Sequence, residues 1–175
     1  MSSRSTPFLA ESYDLGAARD GRPLKLAALS EAGAHAAAAI VATYGPWAHY
    51  GYTPAQLAER LRPADDGLAR LEVQVGADSA GCVLIRPAWM VGPYLQMLAV
   101  HPPWQNLGIG AIVLAWYERE AAAAGPVRNV WLCTSAFNRD AQRFYLRHGY
   151  EITAIIDDLL RPGDDELLMR KRLLR

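Results

Sequence analysis

The sequence predicts an α/β (α+β) chain with a central mixed, mostly antiparallel sheet of about six to seven strands flanked by about four helices. Three observations carry this. Leu71, Val73 and Val75 alternate with Glu72 and Gln74, and the hairpin-sized Ala77-Asp78-Ser79 returns the chain through GCVLIR, residues 81–86, which reads as an antiparallel pair. The apolar run Leu95 to Val100 ends at His101-Pro102-Pro103, and Ile109, Ile112, Val113 and Trp116 then recur at helical spacing, so a buried strand feeds a helix. Near the C-terminus Arg161-Pro162-Gly163-Asp164 turns the chain between two further strand-like runs.

The 175 residues are one domain's worth. Residues 1–20 mix Ser, Pro and charge without a period and read as a loosely held N-terminal arm, leaving 21–175 as a single domain. Arg22 to Leu29 suits a first strand. Ser30 is a candidate N-cap for an alanine-rich helix from Glu31 to Thr43, which Tyr44-Gly45-Pro46 stops. Trp47 to Tyr52 is dense in aromatics with polar groups; Thr53-Pro54 then opens a second helix running to Arg62. After the 68–76 and 81–86 strands, Pro87 to Pro93 reads as a loop. Gly125-Pro126 ends the helix that follows the strand over 95–100, and Asn129 to Cys133 is a short buried strand. Asn138 caps a helix whose Ala141, Phe144, Tyr145 and His148 share a face, with Gly149 as its stop; strands at 150–156 and 166–173 close the sheet.

Composition excludes several classes. A hydrophobic fraction of 51% with 21% charged residues argues against disorder. Lys+Arg and Asp+Glu are both 18, so the electrostatic footprint of a nucleic-acid binder is missing. No apolar run reaches the ~20 residues of a membrane span and the N-terminus lacks a secretory apolar core, so the expected location is the cytoplasm. Cys82 and Cys133 both lie in strand-like runs and read as buried thiols. The four histidines show no ligand spacing, and no metal is expected.

The chemistry concentrates at Gln105-Asn106-Leu107-Gly108-Ile109-Gly110, where a helix begins. Unpaired N–H groups and the positive end of the macrodipole favour an anion there, and glycine lets a phosphate approach the backbone. Two glycines also suit a plain turn. A nicotinamide- or flavin-binding turn would need G-x-G-x-x-G/A, but Val113 occupies the third position, and the lysine of a nucleoside triphosphate loop is missing.

The remaining pattern, Q-x-x-G-x-G through Gln105, Gly108 and Gly110, resembles the acyl-CoA-binding signature of the Gcn5-related N-acetyltransferase (GNAT) superfamily. N-x-x-A-x-x-F-Y-x-x-x-G-Y, here Asn138, Ala141, Phe144, Tyr145, Gly149 and Tyr150, is similar to its second signature and follows at the family's spacing. The resemblance covers residues 68–173 well, and the first 65 only by their strand-helix-helix pattern.

The resemblance implies a splayed sheet, opened by the strand after the second signature's helix, with acetyl-CoA (coenzyme A) in the gap. It implies direct attack of an amine on the thioester in a ternary complex. The N–H groups of Asn106, Leu107, Gly108, Ile109, Gly110 and Ala111, with Gln105, would hold the pyrophosphate. Leu98, Ala99 and Val100 would offer a strand edge to the pantetheine arm, with the Leu98 N–H facing the thioester oxygen. Asn138 would bond the pantetheine; Arg139 or Arg143 would meet the 3′-phosphate, or simply be solvated. Tyr145 is the implied general acid: an ordinary phenol lies only ~1.5 pKa units above the departing thiol.

The base is open. Many relatives carry a glutamate near the position of Gln96, and an amide cannot serve. His101 follows the strand end and suits a capping role, while Glu72, Asp157 and Asp158 could face cleft or solvent. Trp47, Tyr50, Tyr94 and Gln96, together with His49, Tyr52 and the 157–165 loop, would form the acceptor wall; packing explains these aromatics equally well. The reaction implied is acetyl transfer from acetyl-CoA to a primary amine, a small molecule or a peptide N-terminus. The alternative is a non-catalytic acyl-CoA-binding module. A homodimer is consistent with either.

Overall fold

The computed structural model describes residues 7–173. Its eight strands are β1 (Ser12–Ala17), β2 (Pro23–Ala28), β3 (Ala69–Val75), β4 (Asp78–Trp89), β5 (Gly92–Val100), β6 (Asn129–Ser135), β7 (Glu151–Arg161) and β8 (Asp164–Arg172). They form one sheet in the order β1-β2-β3-β4-β5-β6-β8-β7, antiparallel throughout except for the parallel pair β5–β6. Five α-helices accompany them: α1 (Glu31–Val41), α2 (Gly45–His49), α3 (Pro54–Leu61), α4 (Ile109–Ala123) and α5 (Arg139–Arg147). The mixed, mostly antiparallel architecture agrees with the sequence reading, with one more strand and one more helix among the described residues.

Both faces of the sheet are covered at β4, which explains why that strand reads as a continuous apolar run rather than an alternating one, whereas the edge strand β7 is exposed on both faces. Val83 and Ile85 point into a core shared with Val113, Leu114 and Tyr117 of α4. Cys82 and Leu84 point into a second core with Ala34, Ala38, Leu57 and Leu61 of α1 and α3. Strand β5 changes sides partway along. Leu84 pairs with Met97 but Ile85 pairs with Leu95, so Gln96 is an extra, bulged residue. In consequence Leu95 joins the α4 core while Met97 and Ala99 join the other, and Leu98 and Val100 pack on the α4 side.

The N-terminal arm is the largest correction. Its first six residues lie outside the described residues, but Phe8 is buried in the α4 core, 5.7 Å from the Trp116 ring centroid and 5.6 Å from that of Tyr117. Residues 12–17 form β1 on the edge of β2. Aromatic anchoring, with Tyr13 4.8 Å from Trp116, holds a segment too irregular to show a period. The 87–93 loop is also corrected: β4 runs on to Trp89 and turns into β5 at Met90-Val91, both left-handed with φ of 35° and 59°. Residues 45–49, read as the stop after α1 and the start of an aromatic connection, form the separate short helix α2. The helix over 109–123 begins partway through the glycine-rich motif rather than at its start, with Gly108 as N-cap and Gln105 to Leu107 in the preceding loop.

Candidate active site

Strands β5 and β6 pair only at Tyr94–Trp131 and Leu95–Leu132, then diverge. The splay therefore lies at the strand before α5, rather than the strand after it. The bulge at Gln96 turns β5 away at the point where parallel pairing stops. A cleft of about 1070 Å³ fills the wedge, walled by β5, β6, the first turn of α4, one side of α5 and the aromatic segment around α2.

At its mouth the backbone makes two left-handed turns in succession, Asn106 (φ 65°) and Gly108 (φ 78°). Gly108 caps α4 without any side-chain hydrogen bond. The N–H groups of Ile109, Gly110 and Ala111, all on the cleft wall, have no intrahelical acceptor, since the first helical bond runs from Ile112 N–H to the Gly108 carbonyl, 3.1 Å. A Cβ on Gly108 would sit 3.4 Å from the Arg19 side chain, and the positive φ strains any other residue. This is a cradle for an anion. Leu107 faces away: its carbonyl accepts the Arg19 N–H and its side chain packs in the core.

Along β5, the His101 N–H bonds back to Ala80 on the β4 side, 2.8 Å. Peptide groups alternate in direction, so those of Leu98 and Val100 point the other way, into the cleft. The Gln105 amide donates to the Val100 carbonyl at 3.0 Å, tying the loop to the strand and using one of that oxygen's lone pairs. Ala99 lines the wall through its position in β5, with its own peptide turned to β4.

Tyr145 reaches the cleft from α5, held edge-on by Phe144 at 5.1 Å and Tyr150 at 5.8 Å. Burial pushes its phenol well above the ordinary tyrosine range. It is therefore a firmly protonated hydroxyl, and a weaker acid than an ordinary phenol. Asn138 caps α5 through its side-chain oxygen, which accepts from Ala141 N–H at 3.2 Å, and lines the cleft. Arg143 is corrected: it is held by Asp140 and is not on the wall, and Arg139 bonds Gln142 at 3.1 Å. Arg147, one turn further on, lines the cleft instead.

At the inner end Trp47, Tyr50, Tyr94 and Gln96 line the cleft, with Tyr52 beside them. His49 does not; it lies 3.2 Å from Asp164 and, with Arg161, straps α2 to the β7–β8 hairpin. Glu72 bonds Gln74 and Asp158 caps the 158–163 turn, both away from the cleft. His101 is buried outside it, 3.3 Å from the Tyr44 hydroxyl. Sequence reasoning missed Arg19, Tyr44, Ser135 and Glu166. The last is a buried carboxylate, 5% exposed, that accepts from the Tyr50 hydroxyl at 2.7 Å. Its one sequence signal was its place as the last of three consecutive acids, Asp164, Asp165 and Glu166, directly before the apolar run Leu167 to Met169.

A sheet parted between two parallel strands, with a helix start at its mouth and a tyrosine on its wall, makes a cleft suited to a phosphate-bearing ligand. Residues 35–150 match the model of the acetyltransferase (GNAT) family, and the chain belongs to that family. It is 47% identical over 57 residues to the aminoalkylphosphonate N-acetyltransferase of Salmonella typhimurium; the match spans 33% of this chain and only 36% of that relative. Its fold resembles a chain from Desulfovibrio desulfuricans assigned to the GNAT family (TM-score 0.70, 22% identity, 86% of this chain and 99% of that one). It also resembles a GNAT family acetyltransferase from Elizabethkingia anophelis with acetyl-CoA bound (TM-score 0.55, 17% identity, 61% and 76%).

Proposed function

We propose that this chain is an acetyl-CoA-dependent N-acetyltransferase acting on a primary amine, a small molecule or a peptide N-terminus, by direct attack in a ternary complex. The observation that carries the reading is a single cleft that joins an anion cradle, a free strand edge, a protonated tyrosine and an acidic aromatic pocket. Acetyl-CoA, when bound, supplies an acyl group activated as a thioester.

The protein's residues have separable tasks. Asn106, Gly108, Ile109, Gly110 and Ala111 hold the diphosphate through backbone N–H groups, and Gln105 fixes the loop that presents them. Leu98 and Val100 bind the pantetheine arm as a neighbouring strand would, with the Leu98 N–H placed to stabilise negative charge on an acyl oxygen. Asn138 donates to the same arm. Tyr145 keeps its proton until a thiolate leaves. Trp47, Tyr50, Tyr94 and Gln96 contact the acceptor. Arg60, which lies over the Tyr52 ring at 4.8 Å and also lines the cleft, suits an acceptor carrying an anionic group, in keeping with the aminoalkylphosphonate named for the Salmonella relative.

The test is thiol release on mixing the protein with acetyl-CoA and a panel of amines: 2-aminoethylphosphonate, ethylamine and a tripeptide with a free N-terminal alanine. Amine-dependent release supports the reading. Tight coenzyme A binding without release from any amine would favour the non-catalytic module.

A further inference from the structure

A buried carboxylate is expensive unless a cation or several donors attend it. Glu166 has neither in full. Among the described residues no Lys, Arg or His forms a salt bridge with it. The Tyr50 hydroxyl donates to Oε1 and sits 3.0 Å from Ser135 Oγ, and Oε2 has no hydrogen bond among the described residues. Position matters as much as burial. Glu166 pairs with Ser135 where β6 borders the wedge, and it lines the same cleft as Tyr94, Cys133 and Tyr145. Arg161, the cation over the Tyr50 ring at 5.8 Å, is bound to Asp164, 2.6 Å away.

A role confined to positioning Tyr50 needs only an acceptor oxygen, which a glutamine supplies without the desolvation penalty. The negative charge calls for a positive partner that the chain does not provide. We infer that Glu166 is the acceptor anchor: the amine enters as an ammonium ion, docks on the Glu166 carboxylate, and gives its proton to that carboxylate. In this step one N–H bond breaks and one O–H bond forms, leaving a neutral amine and a neutral carboxylic acid. The inference rests on the acetyltransferase reading and supplies the base that Gln96 cannot be. The titratable groups near Glu166 are Tyr50, just past α2, Asp164 on its own strand, Tyr94 from β5 and Cys133 from β6; none is a cation.

Two variants separate charge from positioning. Glu166→Gln keeps an acceptor for Tyr50 and removes the charge; Tyr50→Phe removes the hydrogen bond and keeps the charge. Calorimetry with coenzyme A present and no acyl group reads amine binding alone, using 2-aminoethylphosphonate, ethylamine and the alanine tripeptide. Glu166→Gln is expected to bind the amine about 10- to 100-fold more weakly, with acetyl-CoA affinity and melting temperature retained. In turnover, its kcat/KM is expected to climb with pH throughout ~6 to 9, following the neutral fraction of the free amine, and more steeply than that of wild type or Tyr50→Phe. Wild-type amine affinity and a wild-type pH profile in Glu166→Gln would overturn the inference. So would a wild-type protein that binds acetyl-CoA but none of the amines. Failure of wild type to bind acetyl-CoA would instead defeat the acetyltransferase reading itself.

Discussion

The Arg19 N–H, in the turn between β1 and β2, donates to the Leu107 carbonyl at 3.1 Å, and its guanidinium reaches the Asn106 carbonyl at 3.4 Å. An edge hairpin thus braces the loop that precedes α4 and sets a fixed cation beside a helix N-terminus, where both favour an anion. Arg19→Ala is expected to weaken coenzyme A binding about 3- to 30-fold, with the difference shrinking at high salt. Arg143→Ala, which removes a side chain held by Asp140 off the cleft wall, is expected to leave that affinity within about two-fold. Calorimetry at two salt concentrations reads both.

Gly108 holds φ 78° at the α4 N-cap, with Arg19 packed where a Cβ would stand. Gly108→Ala is expected to cost about 1–2 kcal/mol of stability and to weaken coenzyme A binding further than that strain alone explains. Gly110→Ala, whose Cβ would meet Phe144 at an ordinary 3.5 Å, is expected to be the milder change. Denaturant melts with and without coenzyme A separate the two effects.

Tyr145→Phe removes a hydroxyl and little else from the wall of the cleft. Turnover is expected to fall about 10- to 1000-fold with coenzyme A affinity nearly unchanged. Because burial raises the phenol's pKa, the wild-type rate should show no loss from Tyr145 ionisation on the alkaline side up to at least the ordinary tyrosine range. Wild-type rates in the variant would remove the residue from the reaction.

His101 is buried and its pKa is lowered from 6.5 by that burial, partly opposed by the charge of Glu72. The unfolded chain therefore binds the proton more readily than the folded one. Stability from this group is complete above pH 6.5 and declines as pH falls through the lowered value. Melting temperature should drop by a few degrees between pH 7.5 and 5.5, and His101→Asn, which keeps an acceptor for Tyr44, should flatten that drop. Thermal melts in matched buffers check it.

Much of this was legible in the residues. Alternation in β3 and helical spacing in α4 and α5 are local signals, and Ser30, Thr53 and Asn138 each cap a helix through a side-chain oxygen as read. The loop, strand edge and Tyr145 could be anticipated because two short motifs place them. What was not legible depends on tertiary pairing. Phe8 and Tyr13 take their order from Trp116, a residue about a hundred positions away. The bulge at Gln96 leaves no mark on composition, yet it decides which core Met97 and Ala99 enter. Glu166 reads as the last of three acids at a strand start; only its pairing with Ser135 and the hydroxyl of Tyr50 brings it into the cleft.

The central claim is that backbone amides around Gly108 to Ala111 grip the diphosphate of coenzyme A. Isothermal titration of the full chain with acetyl-CoA tests it most directly. The expected result is one site per chain, with affinity lowered in Gly108→Ala and Arg19→Ala and preserved in Tyr145→Phe. Absence of any uptake by the folded wild-type chain, or uptake indifferent to Gly108→Ala and Arg19→Ala, would contradict it.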